Sequence, residues 1–155
     1  AVTRLIETEV IPACHHYGVG VVAYSPLARG VLTGKYDPKV KPDGNTRAGR
    51  GDPRIHQTEF RTESLDIAHA LKTHAQSRGM SPTQFAIAWA LNNKLISGVI
   101  GGPRTLEQWQ DYIAALDVKL IPEDEILVDS LVPPGYTSTH GFVDPQYPLK
   151  GRLVF

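Results

Sequence analysis

Two short stretches of this chain carry the residue types that anion chemistry requires. The first is Tyr24-Ser25-Pro26-Leu27-Ala28-Arg29-Gly30-Val31-Leu32-Thr33-Gly34-Lys35-Tyr36, directly after the apolar run Val19-Gly20-Val21-Val22-Ala23. Gly30 and Gly34 let the backbone come close to a ligand, Ser25 offers a hydroxyl, and Arg29 and Lys35 bring positive charge. The second is Gly98-Val99-Ile100-Gly101-Gly102-Pro103-Arg104-Thr105-Leu106-Glu107-Gln108. Here two glycines end a second strand-like run, and Thr105-x-x-Gln108 has the capping-box spacing that opens a helix. Free backbone N–H groups at that helix start and the Arg104 side chain would then face the same anion. The two stretches read as halves of one phosphate-binding site.

Such loops need strands and helices to hold them. Val19 to Tyr24 has the length and composition of a buried parallel strand, preceded by a helix from Glu7 to Tyr17 with Pro12 near its first turn and Gly18 just past its end. Asp37 to Thr62, broken by Pro38, Pro42, Pro53 and several glycines, lacks apolar periodicity and reads as a long loop. Loops of that length are usually functional or disordered. Ser64 to Arg78 is amphipathic, with Leu65, Ala68, Leu71 and Ala75 on one face, and Gly79 ends it. Ser81-Pro82-Thr83-Gln84 joins an N-cap, a proline at the first helical position and a capping-box glutamine, which predicts a helix over Pro82 to Asn92 with Phe85, Ala88, Trp89 and Asn92 sharing a face. Strand Ile96 to Ile100 follows, so the segment fits a right-handed strand-helix-strand crossover carrying one additional helix. Further helices are expected over Leu106 to Leu116 and from Pro122 to about Leu131, where Pro133-Pro134-Gly135 stops the last. The tail beyond, rich in Tyr, Pro and Gly, is expected to lie against the rest.

The pair of segments resembles the carboxyl-terminal part of an aldo-keto reductase, the (β/α)8-barrel family that reduces carbonyls with NADPH. Tyr24-Ser25-Pro26-Leu27 with Gly30, Gly34 and Lys35 is similar to the family's seventh-strand cofactor loop. Glu9-Val10-Ile11-Pro12-Ala13-Cys14 resembles the helix before that strand, and Gly141-Phe142-Val143-Asp144-Pro145-Gln146-Tyr147-Pro148 resembles a tail of one bacterial-type branch. The resemblance implies an α/β fold in which residues 1–132 are the carboxyl-terminal part of a TIM barrel, about its last two strands and their helices, and residues 133–155 are a tail. A closed barrel of this kind typically takes about 250 residues, so 155 residues are expected to be part of one.

The resemblance also implies roles. The ring of Tyr24 would stack on the nicotinamide, although a tyrosine ending a buried strand is as often a core residue. Ser25, Leu27, Arg29 and Gly30 would border the pyrophosphate, Leu27 on the ribose side, with Pro26 and Ala28 also cofactor-binding, and Lys35 would reach the phosphates; taken as isolated charges, Arg29 and Lys35 are ordinary solvated residues. Arg104 with Thr105 would hold the 2′-phosphate, beside the cofactor-binding Gly102 and Pro103, since a guanidinium fork grips a phosphate and finds nothing comparable on a bare ribose hydroxyl. Gln108 and Asp111 would touch the adenosine, whereas Tyr112 stands where the family usually has an asparagine. The loop from Asp37 to Thr62 either closes over the cofactor or is a surface excursion. The family's general-acid tyrosine and its lysine, aspartate and histidine lie on earlier strands, outside this chain, so the chain itself is expected to hold cofactor and not to catalyse. The implied function is thus the NADP(H) cradle of an aldehyde or ketone reductase. The rival reading is a non-catalytic NADP(H)-binding sensor like the potassium-channel beta subunits.

Composition adds exclusions. Sixteen basic and sixteen acidic residues leave no global field to draw nucleic acid or a membrane surface, and the longest apolar stretch is far short of a bilayer span. A cytoplasmic protein with a nicotinamide cofactor and a small carbonyl substrate as partners is expected. Strands apolar on both faces would leave open edges in an isolated chain, which invites self-association. The single cysteine, Cys14, on the apolar side of its helix, reads as a buried inert thiol. His15 and His16 complement a helix end, the other histidines are scattered, and no spacing marks a metal site or a hydrolase elbow.

Overall fold

The computed structural model describes residues 1–148. Its order is α1 (Val10–His16), β1 (Val21–Tyr24), α2 (Pro53–Gln57), α3 (Thr62–Ser77), α4 (Pro82–Asn92), β2 (Ile96–Ile100), α5 (Leu106–Ala114) and α6 (Pro122–Leu131), with 3₁₀ turns at Leu5–Glu7, Ala28–Thr33 and Ala115–Asp117. The two strands pair in parallel, Val22 against Gly98 and Tyr24 against Ile100, so both candidate loops leave the same end of the sheet. A parallel pair needs a crossover, and here the chain between the strands supplies three helices. The fold is α/β.

Local signals account for most element ends. The Ser81 side chain accepts from the Gln84 N–H at 3.0 Å while the Gln84 side chain accepts from the Ser81 N–H at 3.1 Å, the reciprocal cap expected of that tetrad. Gly18 and Gly79, both at positive φ, end α1 and α3. In each case the residue after that glycine bonds back five positions, Val19 to the Cys14 carbonyl and Met80 to that of Ala75.

Several expectations are corrected. The first helix is a 3₁₀ turn followed by a shorter α-helix, because the chain turns at Thr8 before Glu9 caps α1. The first strand starts at Val21 and not Val19, since Gly18 and Val19 are consumed in ending α1. The helix expected over Leu106 to Leu116 is α-helical only to Ala114 and tightens to a 3₁₀ turn after it. The stretch from Asp37 to Thr62 is not without structure: Asp52 accepts from the N–H groups of Arg54 and Ile55 and so starts α2, with Pro53 in its first turn. Helix α3 begins at Thr62, bringing Ser64 into the fully buried set. Cys14 is half-buried, as only Ile11 of α1 is buried. The strands do not bury both faces, for Val22, Tyr24 and Ile100 are 56%, 73% and 60% exposed.

The core lies between the crossover helices and the loop after β1. Phe85, Leu65, Leu71, Ile55, Val31 and Leu32 are buried together, joined by Val128 and Val132 at the end of α6. Asp124, fully buried, accepts from His74 of α3, from Arg78 just past its end and from the Ile121 N–H, tying α6 to α3. On the neighbouring face, the Glu125 carboxylate accepts from Trp89 and Asn92 of α4. The tail runs back along the start of the chain, where Thr3 and Thr137 form an antiparallel bridge and the Arg4 N–H donates to the Tyr136 carbonyl. The part of the expected tail from 149 to 155 lies outside the described residues.

Candidate functional site

The loop after β1 is built from strained backbone. Ser25, Ala28 and Arg29 have φ of 54°, 47° and 55°, and among the described residues they are the non-glycine positions in the left-handed region. Each such residue costs on the order of 1 kcal/mol or more, a strain that clusters at ligand sites when the surroundings enforce it. Here they do. The Ala28 N–H donates to the Ser25 carbonyl, the Gly30 N–H to that of Leu27, and buried Val31 and Leu32 pin the loop into the core. Gly30, at φ of 93°, completes the turn, and a β-carbon on it would lie 3.3 Å from the Lys35 Nζ.

The second loop meets the first across a cavity of about 530 Å³. From the first loop, Tyr24, Ser25, Pro26, Leu27, Arg29, Gly30 and Lys35 line it; from the second, Gly102, Arg104, Gln108 and Asp111 do. Ala28, Pro103 and Thr105 do not. Ala28 is buried beneath the loop, Pro103 is half-buried, and Thr105 caps α5, its hydroxyl accepting from the Gln108 N–H at 3.2 Å. The Gln108 side chain reaches past that cap to the Arg104 N–H at 2.8 Å, which leaves the Arg104 side chain exposed at the rim.

Asp111 has structural partners as well as a place in the lining. Its carboxylate accepts from Ser81 at 2.8 Å and from Gln84 at 2.9 Å, so α5 is docked on the capped start of α4. Tyr112 packs its ring on the second loop so closely that a β-carbon on Gly101 would lie 2.7 Å from two of its ring carbons. Burial, with a smaller push from Asp111, raises the Tyr112 phenol above its ordinary value.

Sequence reasoning missed part of the lining. Arg47, Arg50 and Asp52, from the stretch before α2, face the same cavity, bringing it five cationic side chains with Arg29, Lys35 and Arg104. Asp52 accepts from Arg47 at 2.6 Å; that hydrogen bond, together with the N–H groups of Ile55 and Arg54, outweighs burial and holds the Asp52 carboxyl below its ordinary value. Arg29 donates from Nε to the Thr58 hydroxyl at 3.2 Å. The start of this stretch is anchored through buried Tyr36, whose carbonyl bonds the His69 ring at 2.8 Å and whose hydroxyl accepts from the Ala48 N–H at 3.4 Å. The one sequence signal was Asp52-Pro53, a cap followed by a first-turn proline.

A second cavity of about 660 Å³ lies beside the sheet, lined largely by apolar residues such as Val10, Ile11, Val22 and Ile96. Tyr24 borders both cavities. Glu59 also borders the second, and burial raises its carboxyl above the ordinary value despite Arg61 and Arg29 nearby. Among the described residues no three His, Cys, Asp or Glu side chains gather as metal ligands, and no helix is long and apolar enough to cross a membrane.

Comparison with known proteins gives these loops a family. An uncharacterized oxidoreductase of Bacillus subtilis is 35% identical over 131 residues, covering 84% of this chain and 37% of its own length. A probable voltage-gated potassium channel subunit beta of Arabidopsis thaliana is 34% identical over 113 residues, covering 73% of this chain and 34% of its own length. A probable aldo-keto reductase of Glycine max is 32% identical over 133 residues, with 86% and 38% covered. The chain therefore spans between a third and two fifths of the length of these relatives. Residues 1–132, which carry both loops and every helix around them, match the model of the Aldo/keto reductase family, and the chain belongs to that family.

Proposed function

We propose that this chain is the NADP(H)-holding part of a carbonyl reductase, the last strands of a barrel whose general acid lies on strands outside it. The observation that carries the reading is the convergence of five cationic side chains and a strained, glycine-containing turn on one cavity at the carboxyl end of a parallel strand pair. The donor set fits a dinucleotide: cations ring the cavity, while its two carboxylates, Asp52 and Asp111, are already engaged with Arg47 and with Ser81 and Gln84. When bound, the cofactor supplies a hydride. The residues of this chain bind and orient: Tyr24 offers an exposed ring for stacking, Ser25 and the loop N–H groups meet the pyrophosphate, and Arg104 meets the 2′-phosphate. The family's barrel fold and the two open strand edges support the view that further strands complete the sheet. A cytoplasmic location and a small aldehyde or ketone as substrate belong to the same proposal.

The relative named as a potassium channel subunit favours a second reading, in which the same cradle serves a non-catalytic cofactor-binding subunit. Titration of the full-length protein with NADPH and NADH, followed by turnover with a panel of aldehydes, tests both. Preferential NADPH binding with turnover is the expected outcome. Binding without turnover selects the second reading, and failure to bind either dinucleotide overturns both.

A further inference from the structure

Helix α2 stands behind the cavity wall, and the residues that flank it, Asp52 and Thr58, each hold one of the cavity's cations. At its start, Asp52 holds the Arg47 Nε at 2.6 Å. At its end, the Thr58 hydroxyl donates to the Arg54 carbonyl and accepts from the Arg29 Nε at 3.2 Å. Where α2 sits therefore decides where Arg29 and Arg47 point. Its buried side chain is Ile55, and the His56 ring bonds the Ala48 carbonyl at 3.0 Å, which ties the helix to the stretch before it.

The tail ties the helix from another direction. Arg54 donates from both terminal nitrogens to the Asp144 carboxylate, at 3.1 and 2.6 Å, a two-pronged geometry that sets orientation as well as distance. Both side chains are about three-quarters buried, at 24% and 26% exposure. Asp144 is itself held in a turn, where it accepts from the Gln146 N–H at 2.9 Å and its carbonyl accepts from the Tyr147 N–H at 3.0 Å. Upstream, the tail is bolted to α3. Arg61 donates to Thr139 at 2.8 Å and to Ser138 at 3.0 Å, and its guanidinium lies 3.7 Å from the centre of the Phe142 ring. The carboxylate is thus carried on an anchored scaffold.

We propose that Asp144 is a positioning residue of the cofactor site: through Arg54 it fixes α2, and α2 aims Arg29 and Arg47 into the cavity. The inference rests on the cofactor reading above. Its test uses the full-length protein with Asp144→Asn, which keeps the turn but removes the charge. Hydrogen exchange in residues 45–58, measured without cofactor, should quicken, and the NADPH dissociation constant should rise about two- to fivefold, the upper part of the range for an ion pair that keeps contact with water. In an Arg29→Ala/Arg47→Ala background the same substitution should leave the dissociation constant unchanged, which a merely structural role would not produce. Unaltered exchange overturns the proposal, as does faster exchange with unaltered affinity or an equal loss in the double-alanine background. A wild-type protein that binds neither dinucleotide sinks the cofactor reading, while the exchange arm still decides whether Asp144 holds α2.

Discussion

Replacing Arg104 by alanine should weaken NADPH and spare NADH, and the structure indicates how clean that experiment is. Among the described residues the Arg104 guanidinium makes no hydrogen bond or ion pair; its backbone N–H, not its side chain, is what Gln108 secures. The cap that opens α5 runs from Thr105 to the Gln108 N–H and is untouched by the substitution. Stability should therefore move by no more than about 0.5 kcal/mol, as for other surface changes. The binding term is larger. A hydrogen bond to a charged group contributes about 1.5–3 kcal/mol, and exposure at the rim places Arg104 at the lower end, about tenfold in the dissociation constant. Titration of the wild type and the variant with both dinucleotides reads this directly. Raising the salt should shrink the wild-type preference, because an exposed guanidinium is screened at distances beyond about 10 Å at 0.1 M. Equal loss for both cofactors would place Arg104 on the shared pyrophosphate instead, and no loss for either would remove it from the site.

Other substitutions test the frame that carries the loops. Asp124→Ala should cost about 2–4 kcal/mol in urea unfolding, since it strips the acceptor from Arg78, His74 and the Ile121 N–H at a fully buried position; a loss under about 1 kcal/mol would mean that water replaces it. Burial pushes the Asp124 carboxyl up, but the hydrogen bonds from Arg78, His74 and the Ile121 N–H prevail and hold it below the ordinary value of 3.8. Its contribution to stability is therefore complete above that value and is lost as the pH falls through the lower, folded-state value, so Asp124→Asn should flatten the acid limb of the stability profile. Gly34→Ala should cost about 1–2 kcal/mol or more, because alanine is strained at φ of 65° and its β-carbon would lie 2.6 Å from the Lys72 Cδ and 3.0 Å from the Lys72 Cβ, in a side chain that donates to the Gly34 carbonyl; a loss under about 0.5 kcal/mol would mean that the turn relaxes around it. Purified residues 1–155 should sediment as dimers or larger species, given exposed Val22, Tyr24 and Ile100 beside open strand edges, and a compact monomer with cooperative unfolding would show that these residues complete a core unaided.

What was legible in the sequence, and what was not, divides by the range of the interactions. The bounds of helix α4 were readable to the residue, because its cap and first-turn proline are adjacent, but its face was not: Thr83, Ala86 and Ile87 are buried beside Phe85 and Ala88, while Asn92 is exposed. Helix α2 was not, because five residues hold too little periodicity to register against the prolines and glycines around them. The two loops were found by residue type, but the left-handed backbone at Ser25, Ala28 and Arg29 was invisible, since none of the three announces that conformation as glycine does. The polar pairs that set the cavity's shape were equally silent. Asp111 meets Ser81 across 30 positions and Asp144 meets Arg54 across 90, and nothing local to either aspartate distinguishes it from a solvated one. Arg29, Lys35 and Arg104 were therefore nameable as cations beside glycines, while Arg47 and Arg50 were lost in a loop. The placing of three of the five depends on groups that carry no positive charge themselves: Thr58 for Arg29, Asp52 for Arg47, and the Thr105 cap for the loop bearing Arg104. Affinity in such a site is governed by these neutral and acidic supports as much as by the cations, because a charge on a mobile side chain must be ordered on binding, and that ordering is a cost the supports have already met.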